Sequence, residues 1–160
     1  MLFRSTKEIF FKKKNYREVE LKEFSILYLI INNLHVFEKR IELLSELKLY
    51  TEICVDFLNK IIDFLSSNRI FETNTLKEKF KQTKYLSLIN DISALAPVKF
   101  ITEIKKNDDE ILLIFDEINN DLKKFKLNQK IDNLEKKMIQ NMNEETYKEL
   151  LDLKRQANNG

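Results

Sequence analysis

The sequence predicts an all-α protein, built as an N-terminal helical bundle joined by one long helix to a C-terminal helical hairpin. Three observations carry that expectation. The chain has 160 residues with one Gly and one Pro, which leaves almost nothing for hairpin turns or phosphate loops, while a hydrophobic fraction of 43% is enough for a core. Apolar residues recur at i, i+3 and i+4 along most of the chain. Finally, residues 109 to 142 read as one uninterrupted helix of about 34 residues whose apolar face changes sides halfway along. Ile111, Phe115, Ile118, Leu122 and Phe125 fall within about 80° of one another around its axis. Leu127, Ile131, Leu134, Met138 and Met142 form a second stripe centred about 180° from the first, with the switch at Lys126 to Lys130. A helix of roughly 50 Å is longer than one compact domain of this size needs, so two packing partners are expected. The resulting division is a basic linker over 1–17, a bundle over 18–125 and a hairpin over 126–160.

The elements follow in order. Residues 1–17 show no clean period, and Lys12-Lys13-Lys14-Asn15-Tyr16-Arg17 reads as an exposed linker. From Glu18 a helix places Leu21, Phe24, Leu27, Tyr28, Ile31 and Leu34 on one stripe, and Ile26, Leu29 and Ile30 widen it until most of the circumference is apolar, as in the central helix of a bundle. Asn32-Asn33 interrupts it. A second helix is expected from His35 to Leu47, with Val36, Ile41, Leu44 and Leu47 inward. Thr51 is expected to cap a third, carrying Ile53, Cys54, Phe57, Leu58, Ile61, Phe64 and Leu65 and ending at Ser66-Ser67-Asn68. Thr75-Leu76-Lys77-Glu78 has the form of a capping box before a short helix to Gln82. Another helix runs from Lys84 to Leu95 and stops before Pro97; residues 98–104 read as loop or short helix. Asn107 or Asp108 caps the long helix, and Asn143 caps the last one, in which Tyr147, Leu150, Leu151 and Leu153 are expected to face the second stripe.

Charge and composition narrow the function classes. The net charge is +2, but residues 1–17 hold six Lys or Arg and one Glu, so the remainder sums to −3 and does not read as a basic nucleic-acid surface. The one cysteine, Cys54, excludes an intramolecular disulfide and fits a reducing compartment. Ile9-Phe10-Phe11 meets Lys12 at once, so no signal-peptide core forms there. The longest apolar stretch, Phe24 to Ile31, is far short of the roughly 20 residues of a membrane span. A cytoplasmic protein with no membrane association is expected.

Catalytic sets are missing. One His and one Cys cannot assemble a zinc site or a thiol–imidazole pair, and no glycine-rich phosphate loop is available. Asp108-Asp109-Glu110 suits the positive end of a helix better than Mg²⁺, because three consecutive acids do not converge on a point. His35 reads as a surface residue and Cys54 as core. The chain is therefore expected not to be an enzyme by itself and to have no catalytic residues, cofactor, metal or small-molecule ligand. Met138 and Met142 fill the hairpin seam or serve an adaptable recognition surface. The residues alone lead to a helical interaction module.

A resemblance goes further. Lys22-Glu23-Phe24-Ser25-Ile26-Leu27-Tyr28-Leu29-Ile30-Ile31-Asn32-Asn33-Leu34-His35-Val36-Phe37, the Leu-rich third helix, the stretch from Ile114-Phe115-Asp116-Glu117-Ile118 to Met142, and Asn143-Glu144-Glu145-Thr146-Tyr147 to Lys154 follow one another in a familiar order. From about Val19 to Gln156 the chain resembles the C-terminal, helicase-binding domain of bacterial DNA primases of the DnaG type. Asn33-Leu34 stands where that family commonly has His-Pro, and Phe115 where it often has Trp. The resemblance implies a bundle, long helix and hairpin that dock on the N-terminal domains of the replicative hexameric helicase and recruit primase to the replication fork, within the primosome, for RNA primer synthesis. The zinc-binding and polymerising domains of that family have no motif here. The partner-binding residues expected on physical grounds are Met138, Met142, Tyr147, Leu151, Lys154 and Arg155, an apolar tip with a charged rim. Two alternatives stand beside it. One is a nucleic-acid-binding protein using residues 4–17, with nucleic acid held at most weakly by that segment; the other is a helical adaptor for an unrelated partner.

Overall fold

The structure is a computed structural model that describes residues 17–67, 69–95, 106–140 and 143–159. The stretch 98–104, the stop before Pro97, the linker as far as Tyr16 and Met142 lie outside the described residues. The fold is all-α: eight helices account for 84% of the described residues, and no strand occurs among them. They are α1 (Glu18–Ile31), α2 (Leu34–Glu38), α3 (Ile41–Glu46), α4 (Glu52–Ser67), α5 (Thr73–Lys79), α6 (Lys84–Leu95), α7 (Asp108–Gln140) and α8 (Glu144–Asn159). The chain forms two compact units that meet at Asn119–Asn120, within the continuous helix α7.

In the first unit α1 is the central helix, packed against α2, α4 and α6. Its sequence requires this, because a helix with Val19, Phe24, Ile26, Leu27, Leu29, Ile30 and Ile31 spread around its axis has no side to turn to water, and all seven are buried. Phe57 of α4, Phe80 after α5 and Tyr85 of α6 close one side of the core with ring centroids 5.5–6.0 Å apart. Ile111 and Phe115 of α7 are buried, with the Phe115 ring 5.2 Å from Phe37. Asn107 caps α7 through Oδ1, which accepts the Glu110 amide at 2.9 Å. Asp108 at the same helix start lies 3.8 Å from His35 Nε2 and 4.0 Å from Lys39 Nζ.

Four local expectations are corrected. The helix expected from His35 to Leu47 is two helices with a turn at Lys39–Arg40. Arg40 Nε donates to Glu42 Oε1 at 2.7 Å, a pairing over two residues that a continuous helix does not allow, and this bond holds the Glu42 carboxyl below its ordinary range. Thr51 does stand before α4 and its carbonyl accepts the Val55 amide at 2.9 Å, but its hydroxyl is engaged elsewhere, donating to Glu23 Oε1 at 2.6 Å. Thr75 caps nothing, because α5 starts at Thr73, whose hydroxyl donates to the Ile31 carbonyl at 2.7 Å and ties the helix start to the end of α1. That helix also ends before Gln82, since Phe80 turns into the aromatic cluster and Thr83 folds back onto the Phe80 carbonyl through both its amide, at 3.1 Å, and its hydroxyl, at 2.8 Å.

The most consequential side chain of this unit is Glu23. It is completely buried, one helical step from the apolar centre of α1. Its Oε2 accepts the Tyr50 amide at 2.9 Å, and its Oε1 accepts the Thr51 hydroxyl at 2.6 Å and the Thr51 amide at 3.2 Å. These donors lie at the start of α4, where free amides and the helix dipole favour an anion. A carboxylate removed from water is tolerated here because donors replace its hydration.

The second unit comprises the rest of α7 and α8. Asn143 Oδ1 accepts the Thr146 amide at 2.7 Å and starts α8. Glu135 meets Lys154 at 3.0 Å and Met138 shares a groove with Tyr147, so the two helices run antiparallel. Ile131 and Leu150 are buried between them, and Leu127, Leu134, Met138, Leu153 and Ala157 are half-buried. From Leu127 onward the residues of the second stripe are the covered ones, while Leu113, which points the same way round α7 but lies in the first unit, is exposed.

Candidate functional site

Among the described residues no group of three His, Cys, Asp or Glu side chains could hold a metal ion, and no helix is long and apolar enough to cross a membrane. Cys54 is fully buried on α4. Burial pushes its thiol up to about 12, with the Glu23 and Glu20 carboxylates adding to the shift, so it stays protonated and unreactive near neutral pH. His35 is exposed beside Asp108.

What the molecule does present is an uncovered apolar side on the second unit. Tyr147 and Leu151 were expected to face the seam together with Leu150 and Leu153; instead Tyr147 is 51% and Leu151 38% exposed. The reason is angular. Leu150, Leu153 and Ala157 occupy one arc of α8, and Tyr147 and Leu151 lie about 60° and 100° round from Leu150 in the other direction. The pair of helices is too narrow to cover both arcs.

The ion pair between Glu135 and Lys154 identifies which sides belong together. Glu135 lies about 70° round α7 from the centre of its seam, and Lys154 about 40° round α8 from Leu150. Since the two meet at 3.0 Å, those directions point to the same side of the pair. Ile139 lies about 40° beyond Glu135 and is 87% exposed, the most uncovered large apolar side chain among the described residues. Ile139 from α7 and Tyr147 and Leu151 from α8 therefore face the same way. Met138 is half-buried beneath them, lining a shallow groove of about 260 Å³ with Asn143, Glu144 and Tyr147.

Four of the six expected partner-binding residues take part in this side: Met138 as floor, Tyr147 and Leu151 as exposed apolar surface, and Lys154 as the charged rim through its bond to Glu135. Arg155 is exposed about 40° beyond Leu151, and Met142 lies outside the described residues. Sequence reasoning missed Ile139 and Glu135. A signal for Ile139 did exist: it is a β-branched apolar residue about 110° off the seam, on a helix whose outer face is otherwise polar.

Comparison with known proteins identifies no relative. No family model matches the chain, and no curated protein or solved structure matches it significantly.

Proposed function

We propose that this chain is a non-catalytic docking module of the kind that ends bacterial primases, a helical bundle continued by one long helix into a helical hairpin, and that it binds the N-terminal domains of a replicative hexameric helicase. The observation that carries the reading is the uncovered side formed by Ile139, Tyr147 and Leu151 above Met138, rimmed by the Lys154–Glu135 pair. Large apolar side chains held out on a rigid helix pair cost solubility unless something covers them. An aromatic and two aliphatic anchors with a charged rim have the composition of a reversible interface core. The resemblance along Val19 to Gln156 supplies the partner. In this reading primer synthesis belongs to other domains.

The test is calorimetric titration of the chain into the replicative helicase of the same organism, beside a Tyr147→Ala, Leu151→Ala variant. Both positions are exposed, so the variant should keep its helical content and melting temperature. Binding at micromolar or better Kd by the wild type, weakened at least tenfold in the variant, is the expected result. A well-folded wild-type chain with no affinity for the helicase refutes the reading.

A further inference from the structure

The side of α7 opposite the apolar one has its own character. At about 100° per residue, Lys123, Lys126, Lys130 and Lys137 fall within about 60° of one another, about 80° from the seam in the direction away from Glu135. No Asp or Glu between Asn120 and Gln140 enters that arc, and exposed Asn133 lies at its edge. The row is about 21 Å long, with steps of about 4.5, 6 and 10.5 Å. Lys123, Lys130 and Lys137 are exposed, and none pairs with a carboxylate among the described residues. Lys126 is half-buried and donates to Gln129 Oε1 at 3.3 Å.

Charge after Arg17 is distributed along the chain in the same sense. Residues 18–119 hold thirteen Lys or Arg against eighteen Asp or Glu, and residues 120–160 hold nine against seven. The −3 summed over everything after Arg17 therefore conceals −5 over residues 18–119 and +2 over residues 120–160.

We propose that the row Lys123–Lys126–Lys130–Lys137 binds the phosphate backbone of a nucleic acid, without reading its sequence. A straight line of ammonium groups on a rigid helix suits a linear polyanion, because each phosphate neutralised releases condensed counterions and no base needs to be recognised. A protein ligand would want an apolar anchor, and this face has none. An anionic membrane would want aromatic or aliphatic side chains between the lysines, and the interleaved exposed residue is Asn133.

The experiment is fluorescence anisotropy of the full chain with a labelled oligothymidylate between about 50 and 200 mM NaCl, a window over which phosphate binding changes measurably. A Lys123→Gln, Lys130→Gln, Lys137→Gln variant keeps helix propensity and removes three exposed charges. The expected result is salt-dependent binding whose slope of log K against log salt is about 2 shallower in the variant, about 0.7 for each single-strand phosphate no longer neutralised. Over that salt window the difference amounts to about 20-fold in the salt sensitivity of affinity. A Lys12→Gln, Lys13→Gln, Lys14→Gln variant isolates the N-terminal basic segment and should retain the contribution of the row. An unchanged slope in the α7 variant, no binding by the wild type at about 50 mM salt, or tighter capture by phosphatidylserine vesicles than by the oligonucleotide each overturns the proposal. Helicase affinity is read separately on the same α7 variant and should be unaltered, so the docking reading and this one fail independently.

Discussion

Replacing Glu23 by Ala should be the most damaging single change to the first unit that leaves its apolar core otherwise intact. The substitution removes the acceptor for three donors, the Tyr50 and Thr51 amides and the Thr51 hydroxyl. Hydrogen bonds to a charged group are worth about 1.5–3 kcal/mol each, but Tyr50 and Thr51 are partly accessible, so water can reach some of the abandoned donors. The loss of the anion at the start of α4 adds up to about 2 kcal/mol. A total of about 3–5 kcal/mol follows, a large share of the 5–15 kcal/mol that typically stabilises a domain. Urea unfolding followed by far-ultraviolet circular dichroism measures it. Glu23→Gln keeps the size and one acceptor oxygen but turns an amide donor towards other donors, and should cost about half as much. Thr51→Ala removes only the hydroxyl bond and should cost about 1 kcal/mol. The order Ala at 23, Gln at 23, Ala at 51 is the signature. A Glu23→Ala chain within about 0.5 kcal/mol of wild type, or one no worse than Thr51→Ala, would refute the view that this carboxylate holds α4.

Two further outcomes follow. Because the Cys54 thiol is raised in the fold from 9.0 to about 12, the unfolded chain releases its proton first, and stability should fall as pH rises through that interval; Cys54→Ala should flatten the decline, and the native thiol should resist a disulfide reagent at pH 8 until denaturant is added. Phe115→Ala should cost about 3–5 kcal/mol, because the ring is buried against Phe37 and leaves a cavity, and it should be detected as a lowered melting temperature.

Much of the helical organisation was legible because it rests on period and caps. Asn107 and Asn143 each stand before an acidic first turn, and each closes on the amide three residues on. The change of face along α7 followed from spacing alone, and the buried residues, Ile111, Phe115 and Leu122 and then Ile131, respect it. What was not legible depended on partners distant in sequence. Thr51 and Thr75 both have the residue type of a cap, yet the Thr51 hydroxyl is drawn to a carboxylate 28 residues away, and the Thr73 hydroxyl is drawn to a carbonyl 42 residues away. A local rule cannot see such competition. Glu23 has the same origin, since on a helical wheel it is merely an acid among apolar neighbours. In the second unit the missed feature was one of width: two helices bury a narrower stripe than a bundle does, so Tyr147, Leu151 and Ile139 stay outside.

Glu23 also answers a problem that α1 poses by its own composition. A helix apolar nearly all round gains similar burial whichever way it is rotated and however far it slides along its axis, so hydrophobicity alone leaves its register degenerate. One carboxylate breaks that degeneracy. In the observed rotation and height it meets the amides of Tyr50 and Thr51; turned to another apolar neighbour it would be a charge stranded in hydrocarbon. The residue that looks least at home in the core is thereby the one that gives the core a unique address for its central helix.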